Sequence, residues 1–149
     1  MKKIITLCLA LTCLLFIANA QTNGDYRSFA TGNWTSGSTW ERFDGITWVA
    51  TGAPTSSDGI ITIRSPHTVA ANFPVSGDQV IIEAGGILVI TSTFTLNDGP
   101  GDDITVNGSL NFNSGTLDGA GNISISNVGN FLLTTGDVKT TASMKIIKQ

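Results

Sequence analysis

The segment GGILVITSTFTL, residues 85–96, contains two apolar pairs, each with a spacing of two residues. Leu88 and Ile90 form the first pair, and Phe94 and Leu96 form the second. A spacing of two is typical of a β-strand with one buried face. A polar Thr-Ser step at residues 91 and 92 interrupts the apolar alternation, where one continuous buried strand would have a third apolar residue. We therefore predict two short strands joined by a corner.

The same apolar pairs recur along the chain as an internal repeat. We call the pairs at equivalent positions in successive repeats a column. One column has spacings between 19 and 24 residues, and another has a regular spacing of 21 residues from Val75 to Leu96, Leu117 and Val138. The repeat has three columns: Ile61/Ile63, Val80/Ile82, Ile104/Val106, Ile123/Ile125 and Met144/Ile146; Val69/Ala71, Leu88/Ile90, Leu110/Phe112 and Phe131/Leu133; and Phe73/Val75, Phe94/Leu96, Leu117 and Val138.

Each repeat therefore predicts one coil of three short strands. Coils that stack at the strand spacing of about 4.8 Å bury their apolar pairs and pair their backbone groups with the coils above and below. The predicted fold is an all-β, right-handed parallel β-helix, a β-solenoid of four to five coils of about 21 residues. Gly86, Gly108 and Gly129 each precede a strand of the second column, as expected for tight corners.

Residues 1–20 have the features of a secretory signal peptide: a basic start, an apolar run and a small-residue cleavage site that ends at Ala20. We predict cleavage after Ala20, a secreted or cell-surface location, and no membrane insertion of the mature chain. Both cysteines, Cys8 and Cys13, lie in this leader. The mature chain is therefore predicted to have no disulfide.

The charge of the mature chain is negative. Without Lys2 and Lys3, six basic residues remain against eleven acidic residues, and no Lys or Arg occurs between Arg64 and Lys139. A surface that binds nucleic acid or an anionic membrane needs the opposite sign. Both partners are therefore disfavoured.

Residues 21–59 differ in composition and contain all three tryptophans, Trp34, Trp40 and Trp48. Within this segment an Asp-Gly step at Asp44 lies between TWERF and ITWVA, which predicts a β-hairpin. One interpretation is that the Trp-rich hairpin caps the first coil of the repeats in residues 60–149, since an open solenoid end exposes apolar core and unpaired strand edge. The alternative is that the three tryptophans bind sugars by stacking.

The loop of residues 97–103 is a candidate calcium site. Asp98, Asp102 and Asp103 could supply the oxygen ligands that Ca²⁺ prefers. The spacing matches neither the EF-hand nor the nonapeptide calcium repeat, and Gly-Pro-Gly with aspartates is also typical of a solvated turn. No other cofactor is predicted.

No residue is assigned as catalytic from the sequence. His67 is the only histidine and lies at a predicted coil corner, which favours a structural role. Polysaccharide cleavage on a β-helix would need two carboxylates across a cleft, and Asp118 and Asp137 are the candidates. No cleft or basic partner is evident beside them in the sequence.

A resemblance to a known group of proteins rests on GNWTSGSTWE, an Ala-Pro-Thr loop, DGIITIRSPHTVA and the coils that follow. From Gly32 to Thr140 the chain resembles the N-terminal region of secreted, adhesin-like surface proteins of Bacteroidetes, which carry a parallel β-helix and are exported by the type IX system. Members of that group continue through further modules to a C-terminal sorting domain. The resemblance therefore implies that this chain is the N-terminal part of a longer protein.

From these observations we expect a non-catalytic scaffold at the cell surface that contacts glycans or surface proteins through its loops. The alternatives are a β-helix polysaccharide lyase or hydrolase and a carbohydrate-binding module. Met144 and Ile146 open a further coil that the sequence does not complete. Self-association through this open coil is the other expectation for the C-terminal end.

Overall fold

The computed structural model describes residues 21–138 and 143–146, so the predicted signal peptide with Cys8 and Cys13 lies outside the described residues. The described chain is all-β, and its one helical element is a 3-10 turn at Gly37–Thr39. In chain order the strands are β1 (Tyr26–Ser28), β2 (Gly32–Asn33), β3 (Trp40–Phe43), β4 (Trp48–Ala50), β5 (Ile61–Ile63), β6 (Thr68–Ala71), β7 (Val75–Gly77), β8 (Val80–Ile82), β9 (Ile87–Ile90), β10 (Thr93–Leu96), β11 (Ile104–Val106), β12 (Ser109–Gly119), β13 (Asn122–Ile125), β14 (Asn130–Val138) and β15 (Ser143–Ile146).

Two sheets form the walls of the solenoid. The first sheet has the order β15-β13-β11-β8-β5-β1-β3-β4, and the second has the order β2-β6-β9-β12-β10-β7, with β14 paired to β12. All neighbours are parallel except the β1–β3 and β3–β4 pairs. Successive strands in the first sheet come from successive repeats, so the predicted parallel β-solenoid of about four coils is confirmed.

The core is the set of inward side chains between the sheets. The inward positions of the first column, from Ile61 to Val106, are fully buried, and so are Leu88, Phe94 and Phe112. Burial of one such side chain contributes roughly 1.5–3 kcal/mol relative to an exposed one. Stability therefore comes from the apolar columns together with the backbone ladder.

The N-terminal segment does more than cap the coils. Strands β1 and β2 pair in parallel with β5 and β6, so they add a partial coil below the first repeat. The predicted hairpin at Asp44 is present as β3 and β4, and it extends the first sheet in antiparallel fashion. Trp34 and Trp40 close the core, because each is only 1% exposed.

The predicted register of the third column is wrong by two residues at Leu96, because Phe94 is the residue that pairs with both Val75 and Leu117. Phe73 was expected to point inward, but it is 59% exposed. The register pairs Val75 with Phe94 and Gly77 with Leu96. A slip of two residues leaves every side chain on its original face, so a period-two pattern cannot detect it.

A predicted corner is also less sharp than expected. The second and third strands of one repeat form a single strand, β12, which pairs with β9 in its first half and with β10 in its second half. Between Phe112 and Gly115 the register with β14 shifts, and Ser114 adopts a positive φ of 66°. The chain turns here through a β-bulge, which bends a strand without ending it.

Gly108 shows why the corners between the first and second columns need glycine. A Cβ atom at Gly108 would collide with the carbonyl oxygens of Glu83 and Gly86 in the coil below. The coils approach so closely here that only a residue without a side chain fits.

The C-terminal edge of the described solenoid remains open. Leu133 pairs in register with the buried Phe112 and so belongs to the inward column, yet it is 48% exposed. Among the described residues no strand lies beyond β14 in the second sheet. No helix in the described part of the chain is long and apolar enough to cross a membrane.

Candidate functional site

A groove of about 430 Å³ lies on the outer face of the first sheet, beside the β3–β4 hairpin. Its walls combine one aromatic ring, two guanidinium groups, two carboxylates and several hydrogen-bonding side chains. The lining residues are Gln21, Asp25, Arg27, Trp48, Ile60, Thr62, Arg64, Ile81, Glu83 and Asn107. Ligand sites in proteins have volumes of roughly 300–1,000 Å³, so the groove is large enough for a small ligand.

The register of the first sheet forms the floor of the groove. Arg27 pairs with Thr62, and Thr62 pairs with Ile81, so the three side chains follow one another on the outer face. Their neighbours Tyr26 and Ile61 point into the core. The alternation that buries the core therefore also forms the floor.

One rim of the groove is a ladder of three polar side chains. Arg64, Glu83 and Asn107 each follow the last residue of a first-sheet strand, and those strand ends are register partners. Adjacent members therefore lie in successive coils, about 4.8 Å apart along the solenoid axis. Below we refer to Arg64, Glu83 and Asn107 as the rim ladder.

Trp48 forms the end wall of the groove. The guanidinium carbon of Arg27 lies 4.3 Å from the centroid of the Trp48 ring, and the ring of Phe43 lies 5.4 Å from it. The guanidinium is also held by Glu41, through Nη2–Oε2 and Nε–Oε2 contacts of 2.8 and 2.9 Å. These contacts restrain Trp48, which is half-buried, in one orientation.

The turn that positions Trp48 depends on Asp44. Its Oδ1 accepts hydrogen bonds from the backbone N–H groups of Ile46 and Thr47, both at 2.8 Å. These two hydrogen bonds hold the pKa of Asp44 below its usual value, because they stabilise the carboxylate. The Asp-Gly step in the sequence was therefore a correct signal for the turn.

The charged groups of the groove differ in how far they are already paired. Both carboxylate oxygens of Asp25 accept backbone N–H groups, from Thr22 at 2.6 Å and from Ile60 at 3.0 Å. Among the residues that the structure describes, the guanidinium of Arg64 has no hydrogen-bond or ion-pair partner. Arg64 is therefore the cation of the groove that is free to bind a ligand.

A hydrogen bond from the backbone of Arg64 fixes the coil corner that carries this residue. The N–H of Arg64 donates to Ser28 Oγ at 2.9 Å, and Ser28 Oγ lies 2.9 Å from His67 Nδ1. Ser28 is fully buried. His67 thus links the partial N-terminal coil to the first repeat, as a structural residue would.

Comparison of the chain with protein-family models, curated proteins and solved structures found no match. Function is therefore inferred from the geometry of the groove and of the predicted site residues.

The three tryptophans have different environments. Trp34 donates its indole N–H to the Pro54 carbonyl at 3.1 Å, and Trp40 donates to the Trp34 carbonyl at 2.6 Å. Because both rings are buried in the core, neither is placed to stack on a sugar. Trp48 is the tryptophan that reaches a groove.

The aspartates of the predicted calcium loop do not converge. Asp103 is fully buried and accepts the backbone N–H groups of Gly99 at 2.9 Å and Asn122 at 2.5 Å, whereas Asp98 and Asp102 are exposed. Among the described residues there is no group of three His, Cys, Asp or Glu side chains arranged to hold a metal. Calcium binding stays a prediction, which a melting temperature that rises with calcium and falls with chelator would support.

Sequence reasoning overlooked an aspartate beside that loop. Asp78 has one carboxyl oxygen, Oδ1, that is shielded from solvent and has no hydrogen-bond partner. Burial raises the pKa of Asp78 above its usual value, and the adjacent Asp103 raises it further. The corner at SGDQV has no motif that signals this pair, because the two residues meet only when coils stack.

The two carboxylates of the enzyme alternative lie side by side and do not face each other. In the register, Asp118 pairs with Thr95 and Asp137 pairs with Thr116, so the two aspartates lie on adjacent strands, offset by two residues on the same outward face. Both side chains are exposed, and neither lines the groove. Glycan cleavage needs carboxyl groups on opposite sides of the scissile bond, whereas these two share one outward face.

Proposed function

We propose that the protein is a non-catalytic, adhesin-like β-solenoid scaffold outside the cell, which presents the groove beside Trp48 as its ligand-contacting site. The observation that carries this proposal is the convergence of an aromatic ring, an unpaired guanidinium and hydrogen-bonding side chains in one groove. Elsewhere the described coils repeat a regular apolar core. The partners that suit such a surface are glycans or surface proteins.

The acids of the groove favour binding over catalysis. Cleavage of a glycosidic bond by acid and base needs two carboxyl groups on opposite sides of the bond, in environments that separate their pKa values. Asp25 uses both oxygens to hold backbone N–H groups. Glu83 accepts the Ser65 N–H through Oε2 at 3.4 Å, so it is the one lining carboxylate with an oxygen left for such chemistry.

The backbone hydrogen bonds between stacked coils support the scaffold role. Each described coil is paired with its neighbours through parallel strands, so the groove lies on a surface with few ways to deform. The resemblance of residues 32–140 to secreted adhesin-like proteins supports a location outside the cell. Fold alone does not define a function, so the location needs its own experiment.

Export and activity can be tested together. We would express the full chain with residues 1–20 in a Gram-negative bacterium and sequence the N-terminus of the protein outside the cytoplasm. The expected product begins at Gln21 and binds cell surfaces or glycans without releasing reducing ends or unsaturated sugars. Retention in the cytoplasm would contradict the proposed location. Cleavage of a polysaccharide, lost in Asp118→Asn or Asp137→Asn, would favour the lyase or hydrolase alternative.

A further inference from the structure

We propose that the groove beside Trp48 binds a carboxylate-bearing saccharide, with its chain along the solenoid axis and its carboxylate paired with Arg64. This inference rests on the proposed function and names the ligand class for the same site. It depends on three observations: the restrained Trp48 ring, the direction of the rim ladder and the unpaired charge of Arg64.

The Arg27 guanidinium covers one face of the Trp48 ring, so a sugar ring packs on the opposite face. Pyranose sugars carry C–H groups on one face, and these pack on the flat apolar surface of an indole, while their hydroxyl groups stay available for hydrogen bonds. The Arg27 guanidinium and Phe43 already hold Trp48 in place. A restrained platform loses little conformational entropy when a ligand binds, which favours affinity.

The rim ladder sets the direction of the ligand. Arg64, Glu83 and Asn107 lie on successive coils, so their guanidinium, carboxylate and amide groups follow one another along the solenoid axis. Thr62 and Ile81 form the floor beside them. A saccharide chain that lies along the axis meets a polar side chain at each coil and an apolar floor below. A chain that lies across the axis would meet one rung of the ladder.

The charge of Arg64 sets the ligand class. An arginine with five free N–H donors gains most from a carboxylate, which it can bind through two parallel hydrogen bonds. Glu83 lies one coil away, and the whole chain has a formal net charge of −3. The Glu83 carboxylate and the negative net charge both repel densely charged polyanions. The ligand that fits best therefore has an isolated carboxylate among neutral sugars.

Binding would be measured by isothermal titration calorimetry with the full-length mature protein at low salt. The probes are aldotriouronic acid, a hyaluronan tetrasaccharide and sialyllactose, each compared with its methyl ester, which has the same sugars without the charge. We expect at least one acid to bind with a Kd below about 1 mM, and its ester to bind about tenfold more weakly. Failure of all three acids to bind, or equal affinity for acid and ester, would overturn the inference.

Variants locate the site. Arg64→Gln should weaken binding of the acid about tenfold and leave that of the ester unchanged, because it removes only the charge pair. Glu83→Gln should tighten binding of the acid, because it removes a repulsive charge. Trp48→Ala should abolish binding of both forms, and Trp48→Phe should retain part of it. Thr95→Ala, on the exposed face of the second sheet, is the matched control and should bind like the wild type.

The outcomes separate this inference from the proposed function. Circular dichroism would establish that each variant keeps the wild-type fold. If the Arg64→Gln variant and the wild type bind cell surfaces equally well after export, the ligand class is wrong and the scaffold role stands. If the protein is retained in the cell or cleaves polysaccharide, the proposed function fails, whatever the calorimetry shows.

Discussion

The indole ring of Trp34 meets the ring of Phe94 edge to face, with 5.0 Å between the ring centroids. Phe94 belongs to the third column of the repeats, whereas Trp34 follows the second strand of the partial N-terminal coil. Trp34 therefore closes the core at its first end and contacts the repeats directly.

Trp34→Ala should destabilise the fold strongly. The substitution leaves a large cavity and an unpaired Pro54 carbonyl, and Trp→Ala changes in cores cost about 3–5 kcal/mol. Urea unfolding followed by tryptophan fluorescence would measure the loss. The half-buried Trp48→Ala is the control and should cost much less. Equal losses for the two variants would show that Trp34 does not close the core.

The pair of Asp78 and Asp103 predicts a stability that depends on pH. The pKa of Asp78 is raised, chiefly by burial, so the folded state binds a proton more tightly than the unfolded state. The stabilisation is then fully present below the ordinary aspartate pKa of 3.8 and is lost as pH rises through the raised pKa. Asp78→Asn removes the charge that destabilises the folded state at neutral pH, so the variant should melt at a higher temperature than the wild type there. Below pH 3.8 the two proteins should melt at similar temperatures.

Thermal melts of wild type, Asp78→Asn and the exposed control Asp118→Asn across this pH range would check the prediction. A melting temperature for Asp78→Asn that lies below the wild-type value at neutral pH would contradict it.

Asp44→Ala should weaken the groove without unfolding the solenoid. Asp44 accepts two backbone hydrogen bonds in the turn before Trp48, and a substitution frees that turn. We expect a small change in global stability and a larger loss of saccharide binding, because Trp48 loses its fixed orientation. Calorimetry and urea unfolding of the same samples would compare the two effects. Asp44→Asn keeps an acceptor and should bind nearly as well as wild type.

The open edge at β14 leads to a prediction about self-association. Among the described residues no strand pairs with the outer edge of β14, which lies beside the half-exposed inward residue Leu133, and such edges template the pairing of another chain. We expect a protein of residues 21–149 to dimerise with rising concentration and Leu133→Lys to shift it towards monomer, as measured by sedimentation velocity. Leu132→Lys is the matched control, since Leu132 pairs with Asn111 on the outer face. A wild-type protein that stays monomeric at high concentration would refute the prediction.

The solenoid could be predicted from the sequence because its signals are local. A period of two identifies each strand, and the interval of about 21 residues shows that the strands stack. The Asp-Gly step at Asp44 likewise predicts its hairpin from adjacent residues. In contrast, the exposed Phe73 shows that a period of two cannot define the register of the third column.

The groove depended on the tertiary structure. Arg64, Glu83 and Asn107 are about 20 residues apart in the chain, and only the stacking of coils makes them neighbours. Composition marked all three tryptophans as equivalent, but packing buried Trp34 and Trp40 and left Trp48 at the surface. The repeat and its apolar columns could be predicted without a structure, because the alternation of adjacent residues shows which positions are buried. The site was decided by which side chains the coils bring together, and that depends on register and on the closure of the first coil.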